Sequence, residues 1–256
     1  MKLAEQFTKN GYVIFDIENQ KNYEKIKKTI AQALGPTNSL DDFHKEKFFK
    51  FNNINNLRLN AYKELNKIKD WEKLYYSLAE NALQELIGLD ISIQNKLNFS
   101  IQSPNDKNSI LMLHTDTLSG QTEFEVVLWV PFTESYETNS MYIYSRKNSE
   151  KIFKNLAKNE KKGMQGLFKL YEKDAKFLKL SPGQAMIFSP SLFHGNVLNK
   201  TDTTRMSINC RFKSCFSPEF EEFPTERNTG AFYRPLKISP LSEWAYQYYE
   251  GDILFK

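Results

Sequence analysis

Gln184-Ala185-Met186-Ile187-Phe188, His194-Gly195-Asn196-Val197-Leu198 and Arg205-Met206-Ser207-Ile208-Asn209-Cys210-Arg211-Phe212 follow one another with only short connections between them. Each run is short and rich in β-branched or aromatic residues, which marks it as a strand. Side chains alternate faces along a strand. In the last run, Arg205, Ser207 and Asn209 therefore share one face, and Met206, Ile208, Cys210 and Phe212 share the other. Working outward, the same texture predicts strands at 96–102, 111–116, 124–131, 141–145 and 176–180, beside 184–188, 194–198 and 204–213. Eight short strands punctuated by Pro and Gly imply a closed or double-sheet β architecture such as a jelly roll.

Towards the N-terminus, Gly11-Tyr12-Val13-Ile14-Phe15 predicts an early strand after a short helix or turn. Tyr23, Ile26, Ile30 and Leu34 recur at helical spacing and stop at Gly35-Pro36. Residues 38–60 carry no clear period and are expected to be a long loop with short helical pieces, able to fold over a site. From about Asn60 to Ile87, Trp71, Leu74, Tyr75, Leu78, Ala82 and Leu86 form one stripe, read as a helix packed on the sheet and ended by Gly88. A basic helical insertion, about Asn148 to Lys173, interrupts the strand series. Its run Arg146, Lys147, Lys151, Lys154, Lys158, Lys161 and Lys162 is read first as a solvated helix face and second as a phosphate contact. Pro218, Pro224, Pro235 and Pro240 are expected to break any long element near the C-terminus. An aromatic patch of Trp244, Tyr246, Tyr248, Tyr249 and Phe255 follows.

Composition narrows the function classes. At 256 residues one large domain is more natural than two. A formal charge of +4 suits an anionic small-molecule substrate, but the interleaved acids argue against a nucleic-acid footprint. Cys210 and Cys215 are the only cysteines, which excludes a disulfide scaffold and a thiolate zinc site. No run of roughly 20 apolar residues is available to span a bilayer, and no signal peptide is visible, so a cytoplasmic protein is expected.

The chemistry sits in three places. His114 and Asp116 are one residue apart, so on a strand they project from the same face. His194 follows the apolar strand 184–188. Two imidazoles and a carboxylate on one face of a metal leave three positions open, the facial triad of non-haem Fe(II) oxygenases. Arg205 comes eleven residues after His194. On an antiparallel strand running back beside His194, its guanidinium would take a carboxylate through two parallel hydrogen bonds, with Ser207 adding a third. The distal carboxylate of 2-oxoglutarate needs such a clamp.

Four separated motifs then resemble the phytanoyl-CoA dioxygenase-like family of Fe(II)/2-oxoglutarate-dependent oxygenases. They are Leu113-His114-Thr115-Asp116, Leu180-Ser181-Pro182-Gly183-Gln184-Ala185-Met186-Ile187-Phe188, Phe193-His194-Gly195-Asn196-Val197-Leu198-Asn199-Lys200-Thr201, and Arg205 with Ile208, Cys210 and Phe212. The resemblance covers about residues 96–213 and implies an α+β fold, a double-stranded β-helix (jelly roll) core flanked by N-terminal helices. It implies one domain over 1–256, with helical support at about 17–90, the core at about 91–213 and an extension at 214–256. It also implies Fe(II) on His114, Asp116 and His194, 2-oxoglutarate on Arg205 with Ser207, and O2 as co-reactant. Trp129 matches a family Trp that lines the cosubstrate pocket, and it reads equally as a core aromatic. Gln102, one strand before the metal motif, is expected as a polar contact to oxoglutarate. Two departures, Thr138 to Lys147 in place of the usual turn and Gln184 in place of a frequent Asp, bear on the substrate loop and leave the metal set intact.

The activity implied is hydroxylation of a small molecule, with a sugar or nucleotide-sugar of surface-glycan (capsule) biosynthesis as the candidate. Two other classes stay open: a non-catalytic metal- or ligand-binding jelly roll, and a cupin-type isomerase. His44 reads as a surface residue or as one reaching the site from above. The oligomeric state is not readable.

Overall fold

The computed structural model describes residues 2–50, 53–218 and 232–251. Nine helices and ten strands run in the order α1 (Leu3–Asn10), β1 (Tyr12–Asp16), α2 (Gln20–Leu34), α3 (Ile54–Asn66), α4 (Trp71–Tyr76), α5 (Glu80–Ile87), β2 (Ile91–Gln94), β3 (Asn98–Gln102), β4 (Glu125–Pro131), β5 (Tyr142–Ile143), α6 (Arg146–Lys154), α7 (Leu156–Asn159), α8 (Gly163–Tyr171), β6 (Lys176–Phe177), β7 (Gln184–Phe188), β8 (His194–Gly195), β9 (Arg205–Ser214), β10 (Tyr233–Lys237) and α9 (Pro240–Gly251), all counted among the described residues. Among these residues, no helix is long and apolar enough to cross a membrane.

The strands form two antiparallel sheets. The larger has the order β1-β7-β4-β9-β2-β10, with β3 also paired to β9; the smaller is β6-β5-β8. β9 is the spine, with β4 along one side and β2 and β3 along the other. Period-two alternation decides the layers. Val126, Leu128, Val130, Ala185, Ile187, Met206, Ile208, Cys210 and Phe212 face the buried helical layer of α2 to α5. Their alternating neighbours Val127, Trp129, Met186 and Phe188 face the small sheet and pack on Met141, Ile143 and Leu178. The outer face of the small sheet carries Tyr142, Tyr144 and Phe193 under Ile152 and Leu167 of the insertion. The order is therefore helices, large sheet, small sheet, helices.

Several expectations change. The stripe read as one helix from Asn60 to Ile87 is three helices. Asp70 sits in the left-handed region at φ 55°, which turns the chain before Trp71, and Ala79 (φ −150°) breaks it again before Glu80. The stripe nevertheless survives as a buried face, because Trp71, Leu74, Tyr75, Leu78 and Ala82 all enter one core. The strand expected at 111–116 is reduced to a single bridge between His114 and His194. The C-terminal prolines do not prevent structure: Pro235 lies in β10, a sheet-edge strand whose register shifts there, and Pro240 opens α9. Of the aromatic patch, Trp244 is exposed; the side chains of Tyr246, Tyr248 and Tyr249, and the whole of Phe255, lie outside the described residues.

Candidate metal centre

The two histidines are held by the backbone before their side chains matter. His114 N–H donates to His194 O at 3.0 Å, and His194 N–H donates to His114 O at 2.9 Å. The pairing sets the two rings 4.2 Å apart, centroid to centroid. Gly195 makes the approach possible: a Cβ there would lie 2.5 Å from Tyr142 Oη and 2.8 Å from Leu111 O. Each imidazole is then aimed by its own strand. His114 Nδ1 lies 2.8 Å from Met112 O, and His194 Nδ1 lies 2.8 Å from Leu192 O. A carbonyl only accepts, so both Nδ1 atoms carry the proton and both Nε2 lone pairs are free for a metal.

Asp116 reaches the pair by a different route from strand alternation. Its N–H donates to Pro190 O at 2.9 Å, and its backbone is helical (φ −65°, ψ −32°) as it leads the turn Thr117–Ser119. The turn carries the carboxylate back to the histidines, with Oδ1 3.8 Å from His114 Nε2. The ligand atoms of His114, Asp116 and His194 all lie within 4.8 Å of one another. That spacing and donor set fit one divalent ion of the kind that takes imidazole and carboxylate together. Electrostatics agree: burial, then the neighbouring His114, pushes His194 down to about 4, leaving it neutral near pH 7. Burial works to raise Asp116, but His194 and Arg211 outweigh it and hold the carboxyl below its ordinary value.

Arg205 lies at the start of β9, on the face that looks between the sheets. It is 4% exposed, and among the described residues all of its hydrogen-bond partners are neutral. Nε donates to Asn139 O at 3.0 Å, Nη1 to Ser207 Oγ at 2.5 Å and more distantly to Ser100 Oγ, and Nη2 to Gln102 Oε1 at 3.0 Å. Burial, with Arg58 nearby, lowers it to about 10, so the side chain stays cationic at neutral pH. A buried cation without a counter-charge is a site waiting for an anion. Ser207 shares the face of Arg205 and accepts its Nη1–H. Gln102 Nε2 donates to Val197 O at 2.6 Å while its Oε1 accepts from Arg205. β8 and β9 belong to different sheets, so Arg205 does not run back beside His194 on a paired strand; it lies on the face of the larger sheet from which Arg211 reaches Asp116. Trp129 is buried there against Met186 and Phe188, and Phe188 lies 5.0 Å from the His194 ring. His44 is half-buried, with Nδ1 2.9 Å from Thr204 Oγ1. Asp41 O accepts Thr204 N–H at 2.7 Å, so the loop around residues 41–44 docks beside Arg205.

Sequence reading missed Arg211, Glu125, Gln94 and Tyr233. Arg211 Nη2 donates to Asp116 Oδ2 at 2.8 Å, Nη1 to Gln94 Oε1 at 3.2 Å, and Nε lies 3.2 Å from Glu125 Oε1. Tyr233 donates to the other oxygen of Glu125. Burial raises Glu125 to about 7, against the pull of Tyr233 and Arg211. One signal was available: Arg211 shares the face of Arg205 and Ser207.

Two packed antiparallel sheets, a helical layer behind the larger, and a His-Asp-His cluster beside the smaller define a mixed helix and antiparallel-sheet protein with a candidate metal centre. The sequence matches no family model and no curated protein. Solved structures do resemble it. A non-heme monooxygenase, ThoJ, in its nickel complex is 18% identical, covering 98% of this chain and 95% of that one at a TM-score of 0.57. EctD from S. alaskensis with 2-oxoglutarate and 5-hydroxyectoine is 16% identical over 90% and 81% at 0.59. HygX from Streptomyces hygroscopicus with nickel and 2-oxoglutarate bound is 14% identical over 90% and 94% at 0.56. At these identities the likeness is one of fold.

Proposed function

We propose that the chain is an Fe(II)- and 2-oxoglutarate-dependent oxygenase of jelly-roll type that hydroxylates a C–H bond of a small molecule. The observation that carries this reading is a His114, Asp116 and His194 cluster against the face of β9 from which Arg211 reaches Asp116, with Arg205 buried on that same face and paired, among the described residues, with neutral groups alone. A metal-binding module has no use for the second feature. Likeness of fold to proteins solved with nickel and 2-oxoglutarate adds support.

His114 and His194 would hold iron through Nε2, and Asp116 through Oδ1. Arg205 would receive the distal carboxylate of 2-oxoglutarate, which adds the missing counter-charge. Gln102 and Ser207 orient that guanidinium, and Trp129 and Phe188 keep water from the space between the sheets. When bound, iron, 2-oxoglutarate and O2 together supply an oxidant for a C–H bond, with succinate and carbon dioxide as co-products.

The substrate reading is coarser. A cavity of about 360 Å³ combines apolar Ile110, Met112, Leu113, Phe168, Val197 and Leu198 with polar Tyr142, Gln165, Lys169, Glu172 and Asn196, and Met112 stands two residues before His114. That volume and mixed lining favour a small molecule with both apolar and polar portions. The sugar or nucleotide-sugar of surface-glycan biosynthesis draws no specific support from the basic insertion, where Arg146 pairs with Glu150 and Lys151 with Asp174 in exposed contacts. Free Cys210 and Cys215 support a reducing, cytoplasmic setting.

Incubation with Fe(II), ascorbate and 2-oxoglutarate is expected to yield succinate, increasingly so when a substrate is present. Anaerobic addition of Fe(II) and 2-oxoglutarate should give the weak visible band of the chelate. Arg205→Ala should abolish the band. A band that survives that substitution removes Arg205 from the cosubstrate site, and metal uptake with no succinate under any condition favours the binding-module reading.

A further inference from the structure

The two oxygens of Asp116 are not equivalent. Oδ1 faces the cluster, 3.8 Å from His114 Nε2, whereas Oδ2 is gripped by Arg211 at 2.8 Å. Arg211 is held in turn by a hydrogen bond to Gln94 and an ion pair with Glu125. Gln94 accepts Nη1–H, and its own Nε2 is tied to Lys96 O at 2.8 Å. Glu125 stands 3.2 Å from Nε, and Tyr233 secures Glu125 from behind. The side chains of Arg211, Asp116 and Glu125 are 12%, 10% and 0% exposed, so water does not compete for these contacts. One guanidinium thus bridges two buried carboxylates, one belonging to the triad and one not.

We propose that Arg211 is a positioning residue that, by occupying Oδ2, restricts Asp116 to bonding the metal through Oδ1 alone. The inference rests on the iron-oxygenase reading. Its consequence is a matter of open positions. A carboxylate free to turn can bind a metal through both oxygens and consume a position that a further ligand needs. Two oxygens of a bidentate cosubstrate already claim two of the three positions left by the triad, so the last one decides whether the site stays usable. A planar fork suits this bridging task, and an ammonium does not: Lys presents a compact point charge that cannot span Asp116 and Glu125 with fixed geometry.

The test uses Mn(II) alone on the full-length protein, with bound waters counted from water-proton relaxation. The variants are Arg211→Lys and the double variant Arg211→Gln with Glu125→Gln, which removes Arg211 and its second carboxylate partner together and keeps Asp116. Wild-type protein is expected to hold about three exchangeable waters on Mn(II). In either variant that number should fall by about one, a loss of about a third in bound-water relaxivity. A purely structural role for Arg211 would lower the denaturation midpoint and leave the water count unchanged; an unchanged count in folded Arg211→Lys overturns the proposal even if the double variant does not fold. Wild-type protein that takes up no Mn(II) overturns the metal reading itself, and the proposal with it. Wild-type uptake combined with unchanged counts overturns the proposal alone.

Discussion

His194 is buried, carries its proton on Nδ1, and is pushed down to about 4 from an ordinary value of 6.5 by burial and then by His114. The folded chain therefore resists protonation there more than the unfolded chain does. The stability this contributes is complete above about pH 6.5 and is lost as pH falls towards 4. In urea unfolding of metal-free protein, the advantage of wild type over His194→Gln should shrink by up to about 3 kcal/mol between pH 7 and pH 4. A difference that stays constant with pH would mean that the imidazole is not held neutral by its surroundings. At this scale the ligands were readable because residue type and spacing alone single them out: a chain with three histidines has few ways to build an imidazole–carboxylate site. Arg211 was not readable. Its partner Asp116 is 95 residues away, and an inward Arg on a strand has no meaning until that carboxylate is in place. Gln102 was read as a ligand contact; that its amide also joins Arg205 to Val197 is something only the register of Gln102 opposite Arg205 reveals.

Between residue and molecule, the elements explain where period and propensity were enough and where they failed. β7 spans Gln184–Phe188 as predicted, since Gln184 and a four-residue apolar run flanked by Pro182-Gly183 and Ser189-Pro190 have little alternative. The helical stripe from Trp71 onward was visible because burial keeps its period through the breaks; the breaks were not, because a left-handed Asp is a local backbone event that an apolar pattern does not record. The His114 segment failed as a strand for another reason. It pairs with only a single bridge, and its last residues are taken over by the turn that delivers Asp116. That segment makes Gly195 sensitive to size alone. In Gly195→Ala the new methyl meets Tyr142 Oη and the Leu111 carbonyl, and overpacking of this kind costs about 1–3 kcal/mol. The expected result is a lower melting temperature together with weaker metal binding, since the two histidines are bridged at this spot. Adding Tyr142→Phe should recover a small part of the loss, because it removes the nearest obstacle, Oη, while the ring Cζ at 2.9 Å and the Leu111 oxygen stay. A melting temperature unmoved by Gly195→Ala would show that the close approach is not needed.

Across the whole molecule, the large sheet has one face for stability and one for chemistry. Its helix-side residues join a continuous core with α2 to α5, and Tyr75 reaches under the sheet to place its hydroxyl 3.0 Å from Leu128 O and 3.1 Å from Ile208 O. Its other face meets the small sheet and carries Trp129, Phe188, Arg205, Ser207 and Arg211 towards the metal cluster. Alternation along β9 announced this division, but the partners on either side needed the topology, because period two does not say which strands pair. The division predicts that stability and metal affinity separate by face. Ile30 of α2 is fully buried in the helix-side core, and Ile30→Ala should cost about 2–5 kcal/mol in denaturant unfolding. Its metal affinity, measured calorimetrically on the folded protein, should match that of wild type. Phe188→Ala removes a ring 5.0 Å from His194 on the other face, so it should cost about 3–5 kcal/mol and weaken metal binding as well. Equal effects of the two substitutions on metal affinity would mean that the helical layer supports the site directly, and that the sheet does not separate the two roles.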